Sequence, residues 1–214
     1  MFKNVFFDLD GTIIDSREGI VNGFIYSLKY FNIEVKDRKE IEQFIGPPLE
    51  DSFINYYKFS KKDAELAITK YREFYKKTGV RQNTLYVGIK ELLHDLKNSG
   101  KNVLLATGKP EVFAKQILRE HGLENDFDFI SGTTLEQTRR TKAEVLEYAI
   151  NSIKNVNLDE CVMVGDRKYD IEGAKANNIK SIGVEYGFGT RQELTIAGAE
   201  YIAKNIEDLR KLII

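Results

Sequence analysis

The sequence predicts an α/β fold with an all-helical insert. Three observations carry this. Four short apolar runs have strand character, helix-period stretches separate the later ones, and a long segment after the first run has helical periodicity only.

The first run is Val5-Phe6-Phe7, closed by Asp8. Its β-forming, uniformly apolar character fits a strand buried on both faces. Asn102–Ala106, Cys161–Val164 and Ser181–Val184 repeat the pattern, each followed by small, polar or acidic residues. Helical spacing of apolar residues runs over 88–99, 110–121, 141–153 and 168–177. Alternation of this kind predicts a Rossmann-like parallel sheet with helices on both faces. From Ser16 to Lys77 the amphipathic patterns are helical, over 17–31, 37–44, 49–57 and 60–77. Aromatics recur there at helical spacing (Phe24, Tyr30, Phe31; Phe53, Tyr57; Tyr71, Phe74, Tyr75), as the core of a helical bundle requires. The predicted division is an α/β core over 1–15 and 83–214, and a helical cap over 16–82. Asp15–Ser16 and the polar stretch Thr78–Thr84 would be the hinges.

Composition excludes several classes. The chain has 214 residues, 42% of them hydrophobic, with 13 Phe and 11 Tyr, so it is not a disordered chain. The single cysteine, Cys161, rules out a disulfide scaffold and fits a reducing compartment. A net charge of −1 gives no drive toward nucleic acid or an anionic membrane. No apolar stretch approaches the ~20 residues needed to span a bilayer. The N-terminus carries acid where a signal peptide would continue its apolar region. A cytoplasmic protein, monomer or homodimer, is expected.

In open parallel sheets, ligands bind beyond the carboxyl ends of the strands. The polar residues that follow the strands therefore carry the functional reading. Asp8 and Asp10 are two residues apart in Asp8-Leu9-Asp10-Gly11-Thr12, so an extended chain points both to one side. Asp166 and Asp170 are four apart, across the turn after Cys161–Val164. Asp166 alone could be a helix cap, but a cap leaves Asp170 unexplained. If the first and third runs pair, the four acids meet at one sheet edge. Such a cluster is costly without a counter-ion, and oxygen-only donors favour Mg2+. Thr107-Gly108-Lys109-Pro110 offers a hydroxyl, a glycine amide and a helix start, which suits an anion. Lys142 closes a short basic run after Arg139 and Arg140 and could balance Asp8. His94 and His121 fall on helix patterns far from the acids and read as structural.

These motifs, in this order, resemble the haloacid dehalogenase-like hydrolase superfamily. The match is Asp8-Leu9-Asp10-Gly11-Thr12, then Thr107, then Lys142, then Gly165-Asp166 with Asp170, over essentially the whole chain. Ile45-Gly46-Pro47-Pro48-Leu49 and Tyr86-Val87-Gly88 are similar to segments of its phosphoglycolate phosphatase-like group. Relatives often carry an asparagine where this chain has Gly108. The resemblance implies a nucleophilic Asp8 that forms an aspartyl-phosphate and an acid/base Asp10. Thr107 and the Gly108 amide would bind phosphate, and Lys142 would stabilise its charge. Mg2+ would be held by Asp8, the Asp10 carbonyl and Asp166, with Asp170 ordering its water. Gly46 and Pro47 would lie over the phosphate, Thr12 would support Asp10, and Arg17, Lys109 or Tyr86 could reach substrate.

The expected function is a Mg2+-dependent phosphatase of a small phosphomonoester such as phosphoglycolate, a nucleotide or a sugar phosphate. The group also includes enzymes labelled 5′-nucleotidase. The alternatives are a β-phosphoglucomutase-type phosphosugar mutase, using the same motifs, and a non-catalytic phosphate-binding module.

Overall fold

The computed structural model describes residues 2–135 and 138–214. The chain begins with β1 (Asn4–Phe7) and β2 (Ile14–Asp15). Four helices follow: α1 (Arg17–Tyr30), α2 (Lys39–Glu42), α3 (Leu49–Asp51) and α4 (Lys61–Lys77). The rest is β3 (Thr84–Leu85), α5 (Ile89–Asn98), β4 (Asn102–Pro110), α6 (Glu111–Glu120), β5 (Phe129–Thr133), α7 (Lys142–Ile150), β6 (Cys161–Gly165), α8 (Lys168–Ala176), β7 (Lys180–Val184), α9 (Arg191–Ala197), β8 (Tyr201–Ala203) and α10 (Ile206–Ile213). Two compact units result, Met1–Asp15 with Leu85–Ile214, and Ser16–Thr84.

The first unit is built on a six-stranded sheet in the order β5-β4-β1-β6-β7-β8. Its pairings are parallel, so the strand ends share one edge. All four residues of β1 are buried, as the apolar run Val5-Phe6-Phe7 requires of a strand covered on both faces; Asn4 at its start is buried too. The chain builds outward from β1 through β4 to β5, then returns to β6 on the other side. The strand order therefore reverses beside β1, where parallel sheets open a crevice. Register places Phe7 level with Leu105 on one side and Val164 on the other. Asp8, Thr107 and Asp166 all lie just past this level.

Sequence expectation and structure differ at several elements. β5 and β8 lack a long apolar run; the first is only partly buried and the second has three residues. Helices α9 and α10 also go unpredicted. β4 continues through Thr107 to Pro110, so Thr107 is in a strand and does not cap a helix. α6 begins at Glu111, and its N-terminal turn carries a carboxylate.

The second unit is helical. Phe24 is its centre, with ring centroids 5.3, 5.2 and 5.4 Å from Phe44, Phe53 and Tyr71. Phe24, Phe53, Tyr71 and Tyr75 are buried, whereas Tyr30 is 55% exposed and lies outside this core. Ser27 Oγ donates to the Ala67 carbonyl at 2.7 Å and ties α1 to α4. The expected helix over 37–44 shrinks to the single turn α2. The expected helix over 49–57 is α3 followed by a wider π-type turn, Ser52–Tyr56. It stops because Lys58 takes a positive φ of 56° and the Phe59 N–H returns to the Phe53 carbonyl at 3.1 Å. Gly46 and Pro47 lie in this unit, in the turn before α3, where Gly46 has φ of 106°. Among the described residues, no helix is long and apolar enough to cross a membrane.

Candidate active site

The site grows from the end of β1. The Asp8 N–H donates to the Val164 carbonyl at 2.9 Å, continuing the ladder by one residue and fixing the Asp8 backbone beside β6. The next turn is tight: Ile13 and Ile14 N–H groups both donate to the Leu9 carbonyl, at 2.9 and 3.0 Å. Asp166 follows β6 directly. Asp170 sits in the first turn of α8, where its Oδ2 accepts from the Arg167 N–H at 3.0 Å. Asp170, not Asp166, thus satisfies the open end of that helix.

Asp8, Asp166 and Asp170 each bring one carboxylate oxygen within 4.8 Å of the others. They are 8%, 0% and 1% exposed, so their charges are nearly withdrawn from water. Lys142 opens α7, whose start is fixed by Thr141 Oγ1 accepting from the Glu144 N–H at 3.2 Å. Its Nζ lies 2.7 Å from Asp8 Oδ1, 2.7 Å from Asp170 Oδ1 and 3.0 Å from the Ala106 carbonyl. One ammonium against three carboxylates leaves two negative charges if all are ionised. A divalent cation would balance that residue. Asp166 Oδ1 is buried and has no hydrogen-bond partner among the described residues, so one oxygen is left for such an ion. The residues present fit Mg2+: hard oxygen donors, matched charge and an unsatisfied acceptor.

The electrostatics follow from this crowding. Burial first, then the charges of Asp170 and Asp8, push the Asp166 carboxyl well above the usual carboxylate range. Burial also raises Asp170; Lys142 opposes the rise, Asp8 adds to it, and the result is about 6. Burial alone would lower the Lys142 pKa, but Asp170 and Asp8 outweigh it and the ammonium is held above its ordinary range.

Asp10 stands apart from this cluster through its side chain. Its Oδ2 is 2.9 Å from Lys109 Nζ. Thr107 is buried at the end of β4, and its Oγ1 accepts from the Lys109 N–H at 3.2 Å. Gly108 is exposed, and a Cβ added there would meet nothing within 4 Å among the described residues. Thr12 does not hold Asp10: its Oγ1 is buried with no hydrogen-bond partner among the described residues. Its carbonyl instead accepts from Tyr186 Oη at 3.1 Å. In the helical unit, Arg17 pairs with Glu42 at 3.4 Å.

The sequence reading gives no role to the loop after β7, yet it packs on the acids. Phe188 N–H donates to Asp166 Oδ2 at 2.7 Å. A Cβ on Gly187 would fall 2.4 Å from Asp166 Cβ, so only glycine allows this approach. Gly165 has the same constraint toward Asp170, at 2.1 Å from its Cγ. The available signal was Gly187-Phe188-Gly189, an aromatic between two glycines just past a strand end.

A separate groove of about 590 Å³ shares no residue with the acids. Its cations are paired, Lys115 and Arg139 with Glu111 and Arg119 with Glu124.

Residues 5–184 match the family model of haloacid dehalogenase-like hydrolases. A 5′-nucleotidase from Pseudomonas aeruginosa is 37% identical over 99% of this chain and 96% of that protein. The tyrosine-protein kinase PtkA of Mycobacterium tuberculosis is 34% identical over 98% of this chain and 72% of that protein. The crystal structure of a predicted phosphatase from Clostridium acetobutylicum superposes with a TM-score of 0.95. It is 46% identical, covering 100% of this chain and 98% of that one.

Proposed function

The chain belongs to the haloacid dehalogenase-like hydrolase family, and from that membership we propose that it is a Mg2+-dependent phosphomonoesterase acting on a small phosphorylated metabolite. It is a phosphatase-type hydrolase of that family. The observation that carries the finer reading is the convergence of Asp8, Asp166 and Asp170, with Lys142 paired to Asp8 and Asp170, where the sheet order reverses.

Asp8 is the nucleophile. Its carboxylate oxygen attacks phosphorus as the ester P–O bond breaks, giving an aspartyl-phosphate and an alkoxide. Asp10 supplies the proton that the alkoxide needs. Water then attacks phosphorus, Asp10 takes a proton from it, and the bond to Asp8 breaks to release phosphate. Carboxylate and phosphate repel by about 4 kcal/mol per unit-charge pair at 4 Å and effective ε near 20. Lys142 offsets that repulsion from the Asp8 side. Thr107 accepts its hydrogen bond from Lys109, so its own O–H is available to a phosphate oxygen, beside the Gly108 amide. Asp8 and Asp166 would hold Mg2+ with the Asp10 carbonyl, and Asp170 would order its water. When bound, the ion supplies charge neutralisation at the phosphoryl group.

The nucleotidase-named relative favours a nucleoside monophosphate among the substrates. The kinase-named relative favours a second reading, in which a hydroxyl replaces water as phosphoryl acceptor. A sugar hydroxyl as acceptor would make the enzyme a mutase. The test is a phosphate-release screen over nucleoside monophosphates, phosphoglycolate, sugar phosphates and pyrophosphate, with Mg2+ and with EDTA. Release that EDTA abolishes and Mg2+ restores is expected. Turnover insensitive to EDTA would overturn the metal assignment, and transfer to a hydroxyl without free phosphate would overturn hydrolysis.

A further inference from the structure

The Lys109 side chain is 5% exposed, an unusual state for a lysine, and its Nζ is 2.9 Å from Asp10 Oδ2. The other oxygen, Asp10 Oδ1, is buried and has no hydrogen-bond partner among the described residues. The two oxygens of one carboxylate are therefore unlike. One faces the Lys109 ammonium, and the other is a buried acceptor that nothing in the described chain satisfies. Lys109 is held in turn. Its backbone lies at the end of β4, and its N–H donates to Thr107 Oγ1 at 3.2 Å.

We propose that Lys109 is a positioning residue that engages Oδ2 of Asp10 and so makes Oδ1 the atom exchanging a proton with the ester oxygen. The same residue links this proton to the phosphate site, because the Lys109 amide occupies the Thr107 oxygen and leaves the Thr107 hydrogen to point elsewhere. One short segment, Thr107–Lys109, would thereby set both the phosphoryl contact and the acid/base oxygen. Arginine could retain the charge at Oδ2, whereas methionine fills the space without it.

This inference rests on the phosphomonoesterase reading. The test compares kcat/KM for para-nitrophenyl phosphate, whose leaving group departs without a proton, with that for an alkyl phosphate, whose alkoxide needs one. This ratio covers the steps through first transfer to Asp8 and leaves out hydrolysis of the intermediate. Lys109→Met is expected to lower the alkyl-to-aryl ratio of kcat/KM by at least about tenfold, within the range of general-acid effects. Lys109→Arg should restore the ratio to within about threefold of wild type. Equal losses on both substrates, with an unchanged ratio, would overturn the proposal and assign Lys109 to phosphate binding or folding. If Lys109→Met does not fold, Lys109→Gln carries the same comparison. Wild-type enzyme releasing phosphate from neither substrate would instead defeat the phosphomonoesterase reading, and this inference with it.

Discussion

Phe188 donates its backbone N–H to Asp166 at 2.7 Å, so a loop after β7 orients an acid that follows β6. A backbone donor cannot be removed by changing the Phe188 side chain. It can be displaced only by moving the loop, and the glycine beside it gives the means.

Gly187→Ala forces that displacement. The added methyl would lie 2.3 Å from the Gly11 carbonyl and 2.4 Å from Asp166 Cβ, closer than real contacts allow. The expected cost is about 1–3 kcal/mol, with loss of most of the protection that Mg2+ gives against melting. Gly108→Ala, facing open space, should melt like the wild type. Thermal melts with and without Mg2+ check both. A Gly187→Ala protein with an intact Mg2+ shift would mean that the loop does not set Asp166.

The raised carboxyls would make metal binding at the proposed site depend on pH. Burial and like charge lift Asp166, and lift Asp170 to about 6. Unfolded carboxyls titrate near 3.9. Between these values the metal-free folded chain binds more protons than the unfolded chain, so its stability falls as pH rises. The contribution is full below the ordinary carboxylate range and is lost as pH passes about 6 for Asp170, roughly 3 kcal/mol in all for that group. Mg2+ bound there would compete with those protons. Its stabilising shift should therefore be larger at pH 7.5 than at pH 5, read from melts at one Mg2+ concentration. A larger shift at the lower pH would contradict the cluster as the metal site.

Asp8→Asn separates activity from stability. The Asp8 charge raises both Asp166 and Asp170, so removing it relieves the cluster. In EDTA at neutral pH the variant should melt higher than wild type by a few degrees, about 1 kcal/mol for a chain of this size. Phosphate release should fall at least about 1000-fold. An active variant would end the nucleophile assignment; an inactive but less stable one would show that the Lys142–Asp8 pair outweighs the repulsion.

The parts of this arrangement legible in the sequence are those fixed by strand ends. Each apolar run of β1, β4 and β6 terminates in a residue of the site, and parallel register aligns those ends. Asp8, Thr107 and Asp166 could be placed from that rule alone. Lys142 and Asp170 are candidates in the sequence through the short basic run and the four-residue spacing from Asp166; what needs the tertiary structure is their pairing at 2.7 Å, which α7 and α8 bring about. The sequence offers Lys109 only as a possible substrate contact, and its pairing with Asp10 is not legible there for a different reason. Gly-Lys-Pro reads as a chain leaving its strand, yet β4 runs on to Pro110 and turns that side chain inward. The short edge strands carry a weak sequence signal because Phe129–Thr133 and Tyr201–Ala203 are half-covered, which dilutes any apolar run.

Because β1 is bonded on both flanks, fraying of the edge strands β5 and β8 leaves the backbone that carries Asp8 paired. The outermost strands can fray and re-form with little effect on Asp8, whereas the β1 amide hydrogens are expected to exchange last, as the sheet itself comes apart. Loss of the Asp8 position on heating should consequently coincide with unfolding of the sheet that holds it.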